Sequence, residues 1–194
     1  PWEILWGPDN MIWMTERQGR VSRLNPETGE AIVIATIPEV KQINEGGLMG
    51  MALHPDFPAT PQVFVAYTYD NNGGTGVRVA RYTYDNATLI NPVILIEDIQ
   101  GASIHDGCRL LFAPDNTLLV TTGDASNQSL PQDHNSPNGK ILRINPDGTI
   151  PSDNPWPGSR LYTTGHRNPQ GICFGPDGKL YSSEHGPNND DEVN

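Results

Sequence analysis

Apolar and polar positions along this chain alternate in short bursts. In "RVSRLN" and "RVARYTY" apolar and polar residues interchange, most clearly where Ala80, Tyr82 and Tyr84 alternate with Arg81 and Thr83, the period of a β-strand. "MIWMTE", "TLLVTTGD" and "QVFVAYTY" are brief runs rich in β-branched and aromatic residues, which also favour strands. No segment carries a long helical period, so the expectation is an all-β chain.

The bursts are punctuated by one recurring turn, a small residue or His followed by Pro, Asp and a turn residue. It reads "GPDN" at Gly7, "HPDF" at His54, "APDN" at Ala113 and "GPDG" at Gly175. Proline presets φ and the Asp or Asn side chain bonds its own backbone, so each is a turn with a mechanism. Twice a basic segment ending in Asn-Pro follows, "GRVSRLNPETGE" and "GKILRINPDGT", with "VRVARYTYDNAT" as a variant. Four-stranded units recurring at about 40–50 residues, lengthened here by loops, predict a β-propeller. With the stretch before Gly7 counted as the tail of an earlier unit, residues 1–194 hold about three blades and the start of another. Closed propellers take roughly four to eight blades, so one domain truncated before closure is expected. An open all-β sandwich is the alternative.

Charge narrows the partners. Across 194 residues, 12 Lys and Arg face 23 Asp and Glu, a formal charge of −11 that argues against nucleic acid and anionic membrane. No apolar run approaches the roughly 18 residues of a membrane span. The chain opens on Pro1 without a charged-then-apolar leader and is read as a processed product, a trimmed chain or a fragment. Cys108 and Cys173 show no metal or redox spacing and are expected as two buried small apolar residues.

Aligning the units on Pro-Asp brings out candidate chemistry. His105 precedes Pro114 by the same interval as Arg167 precedes Pro176, and Glu45 precedes Pro55 by one residue more. Each stands before a short apolar strand. In a propeller such positions converge on one funnel, where a Glu, a His and an Arg can act as base, proton shuttle and anion holder. A lone histidine at a strand start is more often structural; agreement in phase across three units favours a site. Asp124 in "TTGDAS" and Glu184 and His185 in "SSEHGP" form a second ring of candidates. His54 lies in the turn motif and is read as structural, His134 as solvent-facing, and His166 as turned toward packing.

"IHDGCRL", "TGDAS", "GHRNPQG" and "EHGPNNDDE", in that order, together with "WGPDNMIWMTER" and "NEGGLMGMALHPDF", resemble the soluble quinoprotein aldose and glucose dehydrogenases of the glucose/sorbosone dehydrogenase type. The resemblance covers essentially the whole chain. It implies a six-bladed propeller that binds pyrroloquinoline quinone (PQQ) and calcium, and oxidises aldoses at C1 to lactones with an external electron acceptor. It implies His105 as general base, Arg167 at the substrate and developing oxyanion, Asp124 supporting the histidine, and Gln128 and Asn168 facing the quinone. Glu45 stands where glucose-specific members carry Gln, which with His185 suggests the broader aldose branch. The backbone carbonyls of Gly186 and Pro187 would bind calcium, a hard cation that prefers oxygen, and Asp191 would order a metal-bound water. The spacing does not fit an EF-hand loop.

The basic residues that clamp the quinone carboxylates belong to later blades in the relatives. Weak cofactor binding is therefore expected of a molecule that ends at Asn194, and its unpaired blade edges invite association. A calcium-dependent lactonase and a non-catalytic recognition propeller are the alternatives; the first leaves "GHRNPQG" without a role and the second predicts loss of His105 and Arg167. By analogy with quinone enzymes a periplasmic or secreted location is expected. "NAT" at Asn86 and "NQS" at Asn127 match the glycosylation triplet, a pattern frequent by chance.

Overall fold

The computed structural model describes residues 1–186 and 189–194, and among them it holds strands but no helix. The strands form four antiparallel sheets, each a meander in chain order. The first comprises β1 (Ile4–Trp6), β2 (Ile12–Glu16), β3 (Arg20–Leu24) and β4 (Ala31–Thr36). The second runs β5 (Leu48–Leu53), β6 (Gln62–Asn71), β7 (Gly74–Tyr84) and β8 (Leu89–Gln100), and the third β9 (Leu110–Phe112), β10 (Leu118–Thr122), β11 (Lys140–Ile144) and β12 (Leu161–Thr164). The fourth has three strands among the described residues, β13 (Pro169–Phe174), β14 (Leu180–Glu184) and β15 (Glu192–Val193). The arrangement is part of a β-propeller.

The Pro-Asp turns set the register of each sheet by joining its first strand to its second. In "APDN" the Ala113 N–H bonds the Thr117 carbonyl at 2.8 Å, Asn116 N–H closes back on Ala113 O at 2.9 Å, and Asp115 Oδ1 accepts from Thr117 N at 3.0 Å. Asn116 sits at φ 65° and Gly178 of "GPDG" at φ 76°, the left-handed region that Asn and Gly tolerate. This geometry corrects the place of the first strand, though not the count of about three blades and part of another. The segment before Gly7 is no tail of an earlier blade: β1 pairs with β2 across its own Pro-Asp turn, as β9 does with β10.

The basic segments also find their role in the turn. Arg143 on β11 reaches back to Asp115 at 2.6 Å, and Arg23 on β3 reaches Asp9 at 2.5 Å. The repeated arginine thus pins the third strand of a blade to the turn between its first two.

The core lies between blades. Along β6, Val63, Val65 and Tyr67 pack toward the first sheet with Trp13, Val21 and Ile34, while Phe64 and Ala66 pack toward the third with Leu118, Val120 and Leu142. Alternation at period two sends successive side chains to opposite faces, so one strand serves two interfaces. The first sheet has a packed neighbour on one side only, and its Ile4, Trp6, Ile32 and Val33 are exposed. Both cysteines are free thiols; Cys108 is buried as expected, but Cys173 is exposed. It lies on β13 of the fourth sheet, which within this chain also has one packed neighbour, the third.

Candidate active site

First strands of successive sheets lie side by side, β5 against β9 and β9 against β13. The loops leading into them therefore meet at one end of the inner ring. Glu45 precedes β5, His105 precedes β9, and Arg167 and Asn168 precede β13. Asp124 follows β10 and His185 follows β14, on the same side.

The loops are stitched to one another across blades. Glu45 Oε2 accepts from the His105 backbone N–H at 3.2 Å, and Glu45 N–H bonds Ser103 O at 3.1 Å. Asp124 N–H bonds Arg167 O at 2.8 Å, and Asn168 Oδ1 accepts from Gly107 N at 3.0 Å. His105, Gly107 and Cys108 have φ of 63°, 67° and 74°. Left-handed backbone at a non-glycine residue is held only when its surroundings over-determine it, and these cross-blade bonds do so. Gly123 is part of the same fit: a Cβ there would lie 1.9 Å from His105 O.

His105 Nδ1 lies 2.8 Å from Asp124 Oδ1, whose carboxylate is buried and also accepts from Ser126 N–H at 2.8 Å. An anionic partner at Nδ1 keeps the proton on that nitrogen and leaves Nε2 as the acceptor. Arg167 is half-buried, and Nη1 donates to His185 O at 3.0 Å; its other guanidinium nitrogens have no partner among the described residues. Asn168 is buried, its Oδ1 committed to Gly107 N and, at 3.0 Å, to Gln170 Nε2.

Other expected residues are less tightly placed. Gln128 is exposed on the loop after Asp124. The His185 side chain is exposed, with Nδ1 3.5 Å from Asp191 Oδ1, and Gly186 N–H donates to the same oxygen at 3.2 Å. Pro187 lies outside the described residues. Among those described, no cluster of three or more His, Cys, Asp or Glu could hold a metal. His54 accepts from Asp56 N–H through Nδ1 at 3.1 Å inside its turn, and His134 is exposed beside Trp156.

Two residues gain a role that sequence reasoning missed. Glu184 is buried, and its carboxylate takes His166 Nδ1 at 2.6 Å, Arg167 N at 2.8 Å, Asn168 N at 3.2 Å and Asn194 Nδ2 at 3.0 Å. Burial favours its neutral form, yet His166 and the two backbone N–H groups outweigh that and hold its pKa below the ordinary value. It clamps the backbone that presents Arg167. Asp106 is buried, with Oδ1 bonded to Ala102 N at 2.8 Å and Oδ2 without a partner. Burial pushes its carboxyl up to about 7, against the Ala102 hydrogen bond and with the charge of Glu45 adding to the rise. The available sequence signal was an acidic residue directly after the in-phase histidine.

Comparison with known proteins identifies the family. The family described as glucose/sorbosone dehydrogenase matches residues 1–194. The chain belongs to that family. It is 39% identical to quinoprotein glucose dehydrogenase B of Acinetobacter calcoaceticus, covering 100% of this chain and 48% of that protein. It is 30% identical to the aldose sugar dehydrogenase of Escherichia coli K12, covering 100% of this chain and 56% of that one. A PQQ-bound aldose sugar dehydrogenase from Streptomyces coelicolor superposes with a TM-score of 0.94 at 34% identity, over 100% of this chain and 59% of that structure. The chain thus spans about half the length of the curated relatives it matches. The glucose/sorbosone dehydrogenase family is one of oxidoreductases, and the partial propeller found here is its fold.

Proposed function

We propose that the full-length protein carrying this chain oxidises aldose sugars at C1 to lactones with PQQ and calcium, and passes the electrons to an external acceptor. The observation that carries the reading is the His105–Asp124 pair at 2.8 Å, set beside Arg167 at the loop end of the inner ring. The quinoprotein and PQQ-bound relatives support the cofactor.

The residues present fit such a group. Arg167 and the Asn168 amide nitrogen offer donors at the loop face, which suits an oxygen-rich anion. Calcium prefers oxygen ligands, and a site built from the backbone carbonyls of Gly186 and Pro187, with Asp191 ordering a metal-bound water, needs no side-chain cage. Gln128 and His185 would flank the cofactor, and Glu45 the sugar. Bound PQQ, polarised by calcium, supplies the two-electron acceptor.

The chain's own part is proton handling and orientation. Asp124 holds the imidazole with Nε2 as acceptor, so His105 takes the proton of the C1 hydroxyl at Nε2. The imidazolium formed is stabilised by the buried Asp124 carboxylate. Arg167 faces the negative charge that develops on the sugar oxygen, and Glu184 fixes Arg167 by holding its backbone N–H. A periplasmic or secreted location follows from the analogy with quinone enzymes; no helix among the described residues is long and apolar enough to cross a membrane.

The test is reconstitution of the full-length protein with PQQ, with and without calcium, followed by addition of an aldose. Calcium-dependent bleaching of the oxidised quinone with lactone formed in equal amount is expected. Binding of PQQ without any sugar-driven reduction would contradict the proposal.

A further inference from the structure

The turn from His105 to Cys108 is held from outside, by Glu45 on His105 N, Asn168 on Gly107 N and the Thr121 carbonyl on Cys108 N at 2.7 Å. Asp106, in the middle of it, is 3% exposed. Its Oδ1 ties the turn to Ala102, its carbonyl accepts from Cys108 Sγ at 3.3 Å, and its Oδ2 has no partner. Asp106 lines a cavity of about 190 Å³ together with Trp2, Arg17, Glu45, Met49, Gly107 and Gln170. Glu45, Asp106 and Gly107 belong to the loops that carry the candidate site, so the cavity adjoins the loop face. A space of that size has room for several waters, and Arg17, Glu45, Asp106 and Gln170 offer them polar partners.

We propose that Asp106 is a positioning residue for His105: its carboxyl braces the turn while it carries a proton and loosens the turn when that proton passes to water in the cavity. A protonated Oδ2 is a donor that cavity water or the Glu45 carboxylate can accept; ionised, both oxygens need donors and a charge is buried without a counterion. The charged groups around it do not supply one. Arg17 points Nε and Nη2 at Gly46 O and makes no hydrogen bond or ion pair with Asp106, Arg109 is paired with Glu3 at 2.6 Å and stacked on Trp2, and His105 is turned to Asp124. Glu45, the remaining group, repels the ionised form, and it is also the residue that holds His105 N. Loss of the Asp106 proton therefore sets two carboxylates against each other at the point where the turn is tied. The functional consequence rests on His105 being the base; the brace itself does not.

The experiment uses the full-length protein without cofactor and Asp106→Asn, a neutral near-isostere. Infrared difference spectra between the two should show one protonated carboxyl that is lost with a midpoint near neutrality, about 7. Amide hydrogen exchange of the segment carrying His105, corrected for its intrinsic pH dependence, should rise several-fold through the same midpoint and stay flat in the variant. Should Asp106→Asn fail to fold, Glu45→Gln serves: it should move the carboxyl's midpoint down. A carboxyl that titrates in the ordinary aspartate range, or an exchange rise that persists in Asp106→Asn, overturns the proposal. In reconstituted protein the loss of turnover above neutral pH should flatten in Asp106→Asn, chiefly in kcat. Titration as described in a protein that oxidises no sugar would uphold the brace and sink the oxidoreductase reading alone.

Discussion

His105 meets Asp124 at 2.8 Å and His166 meets Glu184 at 2.6 Å. Burial does not tell the pairs apart: the imidazoles are 12% and 10% exposed, and both carboxylates 4%. The second nitrogen does. His166 Nε2 lies 2.6 Å from Thr163 Oγ1, so both its ring nitrogens are consumed, whereas His105 has only Nδ1 engaged among the described residues. The carboxylates differ too, since Glu184 also holds the backbone of Arg167 and Asn168 while Asp124 accepts one further N–H, from Ser126. One pair is a strut with both ring nitrogens committed; the other leaves Nε2 free among the described residues, as the proposed proton transfer requires. A histidine–carboxylate contact takes its meaning from what the far nitrogen can reach.

Substitutions can break this contrast. The largest effect is expected for His105→Gln in the reconstituted full-length protein, a loss of turnover of about 10²–10⁴-fold with the fold intact by circular dichroism. Asp124→Asn should follow closely, at about 10²–10³-fold, because the amide no longer fixes the tautomer; a pH–rate profile should show the altered base. Glu184→Gln removes the charge and replaces one of two buried acceptor oxygens, each serving two donors, with an NH2 group, and should cost about 1–3 kcal/mol in denaturant unfolding as well as weakening sugar binding. Smallest is Thr163→Val, which frees His166 Nε2 at a cost of about 1 kcal/mol and leaves turnover near wild type. A large kinetic effect of that last change would erase the distinction between strut and base.

Asp106 adds a pH-dependent stability term of definite sign. Its pKa is raised in the folded chain from 3.8 to about 7, so its contribution is fully present below the unfolded value and is lost as pH rises through the folded one. Asp106→Asn should accordingly raise the unfolding free energy at pH 8, by on the order of 2–4 kcal/mol, with little gain near pH 4. Denaturant titrations at the two pH values check it.

Much of the fold was legible in the sequence because turns and alternation are local. Pro-Asp followed by Asn or Gly fixes a left-handed turn wherever it occurs, and period two marks the strands between. Which strands that turn joins is not local, so nothing in the segment before Gly7 tells that β1 pairs with β2 in the same blade. The convergence of Glu45, His105 and Arg167 on one end of the ring followed from their phase in the repeat. Glu184 as a clamp and Asp106 as a buried acid did not, because burial and cross-blade partners depend on neighbours far along the chain. The exposure of Cys173 was missed for the same reason: an apolar run such as "ICFGP" does not reveal which sheet face is covered.

The most direct test of the contrast is a single-turnover experiment on the full-length protein loaded with PQQ and calcium, with an aldose in excess. His105→Gln should bind the cofactor as wild type does and reduce it at least 100-fold more slowly, about 2.7 kcal/mol of barrier, while His166→Gln reduces it within a few-fold of wild type. Equal losses in the two variants, or an undiminished rate in His105→Gln, would contradict the assignment of His105 as the base.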